Sequence, residues 1–300
     1  EEIEAAIESE GGGGSDSRLP EELTDRQQLR ARIQAALLEL EEAGRKHLNR
    51  QEPEARMMPC EGDKRFGYNA QVVVDEESRL VVAEAVVAEE TDAHQLTPML
   101  QETESNVGQT ADDTVTDKGY RTDEAIGQAH RNRHSVLGPP YSSEQPETAG
   151  PYHKCPSRYD PDRDVCICPQ GRELIFEKLQ KQRRQPWKER IYRCHHGAEC
   201  EVAGECTSSR KGRQVAIGPH HEAVVEQRQR QSDPANREKM RRRLSVVEPV
   251  FGQIKHNLGF RRWSLGGLAD VKTQWSLLLT AYNLNKLLPY WQAGRLRLAH

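Results

Sequence analysis

Residues 113–120 read Asp113-Thr114-Val115-Thr116-Asp117-Lys118-Gly119-Tyr120. The β-branched trio Thr114-Val115-Thr116 favours a short strand, because branched side chains fit a pleated surface. Lys118-Gly119-Tyr120 turns the chain into a helical segment, Thr122 to Arg131, and His134-Ser135-Val136-Leu137 is one more short strand before Pro139-Pro140. Strand, helix, strand at this spacing indicates a mixed α/β sheet. Asp117 falls at the C-terminal end of its strand, where reactive groups gather in open α/β sheets. An Asp before Gly-Tyr is also an ordinary turn residue, so this position alone does not choose between chemistry and a turn.

Upstream, Tyr68–Val74 and Leu80–Ala88 are rich in strand formers and flank the turn Asp75-Glu76-Glu77-Ser78-Arg79, which predicts a β-hairpin. Thr91 or Asp92 is expected to cap a helix through Leu96, Met99 and Leu100. Residues 1–52 read as a helical accessory segment. Gly11-Gly12-Gly13-Gly14-Ser15 is a flexible break, Thr24 a cap, and Leu29, Ile33, Leu37 and Leu40 fall on one helical face up to Gly44. An antiparallel helical appendage and a small partner-binding hairpin are both compatible with that pattern. From Tyr141 to about Gly218 the periodicity breaks under Pro, Gly, Cys, His and charge, as in an inserted loop-rich module. Pro234–Leu258 and Leu268–Leu288 then read as helices. The expected organisation is an accessory segment (1–52), the first part of a core (53–140), a Cys/His-rich insertion (141–218) and a helical remainder of the core (219–300).

Of the 300 residues 30% are charged and only 35% hydrophobic, so a modest core under long polar excursions is expected. No run of about 18 apolar residues is present, which excludes an ordinary transmembrane helix. Glu1-Glu2-Ile3-Glu4 has neither the basic start nor the apolar stretch of a signal peptide. A cytosolic protein, and one lacking its initiating Met as a fragment or processed chain would, is the expectation. The net charge of −4 argues against a wholly basic nucleic-acid binder, yet from Thr207 onward there are 17 Lys/Arg against 6 Asp/Glu. That asymmetry suits an anionic partner or simply a solvated charged surface.

Glu248 is the second acid of interest, in a late helix. Three strings resemble the DDE transposases of bacterial insertion sequences. They are Gly67-Tyr68-Asn69-Ala70-Gln71-Val72-Val73-Val74-Asp75 with Thr91-Asp92, then Thr116-Asp117-Lys118-Gly119-Tyr120, and Val247-Glu248-Pro249-Val250-Phe251-Gly252-Gln253-Ile254-Lys255. The likeness covers most of residues 53–290 and is to the subgroup with a Cys-rich insertion before the last acid. It implies an RNase H-like fold, with Asp117 as the second catalytic acid and Glu248 as the third. Lys255 follows Glu248 by close to two helical turns, so both face one way, and the resemblance implies that Lys255 contacts a phosphate; a surface lysine is the plain alternative. Phe251, Ile254 and Leu258 are assigned to the core.

Cutting and rejoining phosphodiesters needs a nucleophile at neutral pH and neutralisation of the phosphate charge. Two divalent ions about 3.5–4 Å apart on carboxylates supply both. Mg²⁺, or Mn²⁺ in its place, suits such oxygen ligands. The first acid should sit in a strand before Tyr68, and no residue fits: Asp16 follows a glycine run, Asp25 starts a helix, and Asp75 lies in the hairpin turn. The first, central strand of the sheet is therefore expected to be missing along with its acid, which impairs metal binding and strand transfer. The family often carries Arg four residues before the last acid; here Leu244 stands there, with Arg243 one position earlier as a substitute.

Six of the seven cysteines fall between Cys155 and Cys206, with His153, His195 and His196 nearby. Without a secretory signal, such clustering favours metal over disulfides. A structural Zn²⁺ on Cys168, Cys194, Cys200 and Cys206 is the leading arrangement, with reduced free thiols and disulfides as alternatives, because the spacing lacks paired CxxC knuckles. For nucleic acid, Arg241-Arg242-Arg243, Lys255 and Arg261-Arg262 are the phosphate-binding candidates. Arg183-Arg184, Lys188, Arg190 and Arg193 surround Trp187 and Tyr192, aromatics suited to stacking on unpaired bases; Trp263 and Trp275 can serve stacking or core packing, and Trp275 is assigned to core.

The expected function is DNA transposition, with metal-dependent strand cleavage and transfer at transposon ends, impaired by the lost first acid. A non-catalytic DNA-binding remnant and a zinc-dependent interaction module are the rivals. The implied partners are DNA and further copies of the chain, with no membrane, in a cytoplasmic, nucleoid-associated setting.

Overall fold

The computed structural model describes residues 26–60, 62–139, 158–181, 186–196 and 199–294. Residues 1–67 and 68–300 form two compact units. In the first, α1 (Arg26–Glu42) leads to a hairpin of β1 (Arg56–Cys60) and β2 (Asp63–Gly67), paired from Arg56↔Gly67 to Cys60↔Asp63. Leu29, Ile33 and Leu40 of α1 are half-buried, whereas Leu37 remains exposed. The hairpin was not legible in advance, since Pro59 and the charges of Asp63-Lys64-Arg65 hide its strand character. The glycine run and the Thr24 cap lie outside the described residues.

The second unit opens with β3 (Asn69–Val74) and β4 (Val81–Val87), antiparallel, with a register shift between Val73 and Val74. Next come α2 (Leu96–Val107), β5 (Thr114–Val115), a 3₁₀ turn (Lys118–Tyr120), α3 (Asp123–Arg131) and β6 (Val136–Leu137). β5 and β6 pair in parallel, Thr114↔Val136 and Val115↔Leu137. α3 begins where the sequence indicated: Thr122 accepts from Ala125 N, acids fill its first turn, and His130 and Arg131 its last. The expected cap of α2 is corrected. α2 starts at Leu96 with no side-chain cap, and the Asp92 carboxylate is engaged elsewhere.

Among the described residues no strand joins β3–β4 to β5–β6. A helix connects them instead. α6 (Pro234–His256) packs against both β3 and β5, while α7 (Leu268–Gln292) lies on β4. α6 starts at a strong stop: Asp233 accepts from Ala235 N and Pro234 occupies the first turn. α7 inserts Val271, Trp275, Leu279 and Tyr282, and such side chains contribute about 1.5–3 kcal/mol each. Trp275 Nε1 donates to Gln71 O at 3.2 Å, and Asn283 bonds both the N and the O of Val81.

α5 (His221–Ser232) packs on α3 and β6. It carries little apolar patterning, because its buried face is largely Gln227 and Gln231 beside Ala223 and Val224, so its helix was not foreseen. Asp113, ahead of β5, ties this part together by accepting from Arg230 at 2.7 Å and from Lys239 and Ser135.

The segment expected to be loop-rich is largely a five-stranded antiparallel sheet. β7 (Arg158–Asp160), β8 (Val165–Ile167), β9 (Glu173–Lys181), β10 (Lys188–Arg193) and β11 (Gln214–Ile217) lie in the order β11-β10-β9-β8-β7. The short helix α4 (Ala203–Cys206) sits in the β10–β11 connection. Beyond Leu174 every residue of β9 is exposed, so hydrophobic alternation was too weak to reveal the strand.

Candidate functional site

Asp117 follows β5, and its carboxylate caps the 3₁₀ turn by accepting from Lys118 N at 2.6 Å. Thr116 N bonds Leu137 O, which anchors this strand end to β6. Across from Asp117 lies Arg243 of α6, with Nη2 3.7 Å from Asp117 Oδ1. Asp92 joins them. Its Oδ1 accepts from Asn69 Nδ2 at 2.7 Å and Gln71 Nε2 at 3.0 Å, two amides on one face of β3. Its other oxygen meets Gly119, where a Cβ would stand 2.8 Å away; only glycine allows this approach. Tyr120 completes the group. Burial pushes its phenol pKa up, Asp92 and Asp117 push further, and Arg243 opposes them. Gln71 Oε1 is buried here without a hydrogen-bond partner among the described residues. Sequence reasoning gave Asp92 a capping role and a place in the family-like strings, but no role in the site. Its clue was the matching pair of amides two residues apart on β3.

Glu248 is placed differently. The buried stripe of α6 is Val246, Val250 and Ile254, and Glu248 is exposed. At about 100° per residue, Glu248 lies about 140° around the helix from Arg243, and Lys255 about 20° from Glu248. Glu248 and Lys255 thus share a face as expected, but the face that meets Asp117 is that of Arg243. Pro249 also breaks the helix ladder, because it has no N–H for Ser245 O. Arg79 of the β3–β4 turn donates to that carbonyl at 2.9 Å, and Glu76 pairs with Arg242 at 2.9 Å. Arg79 itself has φ 61° and offers its own carbonyl to Tyr282 Oη.

Hard oxygen ligands of the kind Mg²⁺ takes are therefore present at Asp117 and Asp92. Among the described residues no three His, Cys, Asp or Glu side chains are grouped to hold a metal, and the Arg243 guanidinium lies across Asp117.

The basic candidates divide into two sets. Arg241, Arg242 and Arg243 each face an acid, namely Glu238, Glu76 and Asp117. Lys255, Arg261 and Arg262 are exposed and have no ion pair among the described residues. The aromatics read as stacking candidates are packed instead. Tyr192 is fully buried, Trp187 sits edge-on to His220 at 5.1 Å, and Trp263 lies 5.0 Å from Phe260 and 5.9 Å from Trp275. Phe251 stacks on Trp275, and Ile254 is buried, as assigned. Arg190 is paired with Asp164, and Arg193 with Glu177. Arg183, Arg184, His153 and Cys155 lie outside the described residues.

Cys166 is a core residue packed with Leu174, Tyr192 and Ile217. Burial, then the charge of Asp164, pushes its thiol pKa up to about 12. Cys168, Cys194, Cys200 and Cys206 are half-buried free thiols.

Residues 167–288 match the family model described as Transposase DDE domain. The match takes in Cys168, Cys194, Cys200, Cys206 and Glu248, while Asp117 lies before it. No curated protein and no solved structure matches the chain. Among the described residues no helix is long and apolar enough to cross a membrane.

Proposed function

We propose that this chain serves DNA transposition by holding DNA ends through Lys255, Arg261 and Arg262, with Asp117 and Glu248 as acids of the strand-cleaving centre. The observation that carries the reading is the contrast among the cations. Three are occupied by acids, and the three at or beyond the end of α6 stand exposed without one. Phosphates are the natural counter-charge for such a set. Mg²⁺ or Mn²⁺ on the acids would supply the nucleophile and neutralise the scissile phosphate. Cleavage by this chain alone is impaired, because among the described residues no three such acids are grouped and the sequence offers no fitting first acid before Tyr68. Handling two ends at once calls for two or more copies. The second reading, a DNA-holding remnant without chemistry, is favoured by the Arg243–Asp117 pair, which puts a cation where a metal would go.

The test measures affinity for duplex DNA against salt concentration. Replacing Lys255, Arg261 and Arg262 together by Ala should reduce the log–log salt slope by about 2–3, while Asp117→Asn leaves it unchanged. Salt-insensitive binding, or an unchanged slope in the triple variant, removes the DNA-holding role. In Mg²⁺, weak nicking abolished by Glu248→Gln supports the first reading over the second, and complete inertness supports the second.

A further inference from the structure

The register of the five-stranded sheet brings two connections to one end. Ile167, ending β8, pairs with Glu173, while Arg193, ending β10, lies beside Ile175 of β9 and Gln214 of β11. The β8–β9 turn carries Cys168, and the β10–β11 connection carries Cys194, Cys200 and Cys206. Cys168 and Cys194 both pack on the Cys166, Leu174, Tyr192 and Ile217 cluster.

Two arginines fasten the remaining segments to these. Arg172 O accepts from Cys168 N at 2.9 Å, and Arg172 Nη2 donates to Glu199 O at 3.0 Å, next to Cys200. Arg213 O accepts from Cys194 N at 2.9 Å, and Arg213 Nη1 donates to Cys206 O at 3.3 Å. Gly212, at φ +85°, runs so close beneath Cys194 that a Cβ would collide with its carbonyl. Each arginine thus spans two cysteine-bearing segments.

We propose that Cys168, Cys194, Cys200 and Cys206 bind one structural Zn²⁺ that closes this end of the sheet. Four thiols from two connections are the donor set of a closed tetrahedral zinc site. The two arginines hold the backbones that carry them. Among the described residues no three of these thiols are yet grouped closely enough to hold an ion; zinc would draw them together by rotating side chains on backbones held in place. Cys166 takes no part, being committed to the core. The site stands whether or not the DNA reading holds.

The experiment uses the full chain, purified under reducing conditions without chelators. One zinc per chain is expected by elemental analysis. Replacing zinc by Co²⁺ should give the visible bands of a tetrahedral ion with strong thiolate charge transfer, a signature that needs no variant. Cys194→Ser with Cys206→Ser should lose the metal, Cys166→Ala should keep it, and Arg213→Ala should weaken it by about 10–100-fold. Background zinc with no cobalt–thiolate bands overturns the proposal, as does full zinc retention by the double Cys→Ser variant.

Discussion

The acid region and the cysteine end of the five-stranded sheet are built in opposite ways. Around Asp117, the strands are short and the order comes from long side-chain ties: Trp275 to Gln71, Asn283 to Val81, Arg79 to Ser245, and the Asp113 hub. Around Cys194, the order comes from continuous strand register, and side chains only gather what the ladder has already aligned. The first design lets one helix carry both a charge partner for Asp117 and a separately facing Glu248. The second fixes the backbones of two cysteine-bearing connections with little latitude.

The comparison breaks most severely at Trp275. Trp275→Ala removes the fully buried side chain that joins α7 to β3 and should cost about 3–5 kcal/mol. Hydrogen exchange should show β3 and β4 losing protection while β8–β10 keep theirs. Equal loss in both regions would mean that they are not separately held.

Asp113→Asn should cost about 2 kcal/mol, the value of hydrogen bonds to a charged group. Burial alone would raise the Asp113 pKa, but hydrogen bonds from Lys239 and Ser135 and the charges of Lys239 and Arg230 bring it below the usual range. A lowered folded pKa gives stability that is full above the ordinary carboxylate range and is lost as pH falls through the folded value. The gap between wild type and Asp113→Asn in chemical denaturation should therefore close in acid and stay constant near neutrality.

Gly119→Ala should cost about 1–2 kcal/mol, because its Cβ presses on Asp92. Adding Asp92→Ala should recover part of that loss, so a double-mutant cycle showing simple additivity would place Asp92 away from the Asp117 turn. The smallest effect belongs to Arg79→Ala, about 1 kcal/mol for one hydrogen bond, seen as faster exchange in α6 around Pro249 with the sheet unaffected.

Much of the acid region was legible because its signals are local. Tyr68–Val74, the Thr122 cap and the Pro234 start each carry their own structural instruction. What escaped depended on distance. Asp92 looked like a cap because its amide partners lie 23 and 21 residues away. The facing of Glu248 was not readable either, since helical spacing relates Glu248 to Lys255 but says nothing of which face meets Asp117. In the cysteine segment the thiols are irregularly spaced along the chain, and it is strand register that brings the two cysteine-bearing connections to one end of the sheet. α5 was hidden by a buried face made of glutamines.

The proline after Glu248 turns a helix defect into a lever. A carbonyl left open inside α6 is answered from outside the helix by a turn between two strands, so the pitch of the acid-bearing half-helix is read by a guanidinium belonging to another element. Anything that tilts that turn, including new pairing along β3, would be transmitted to the carboxylate one residue before the break without any contact to it.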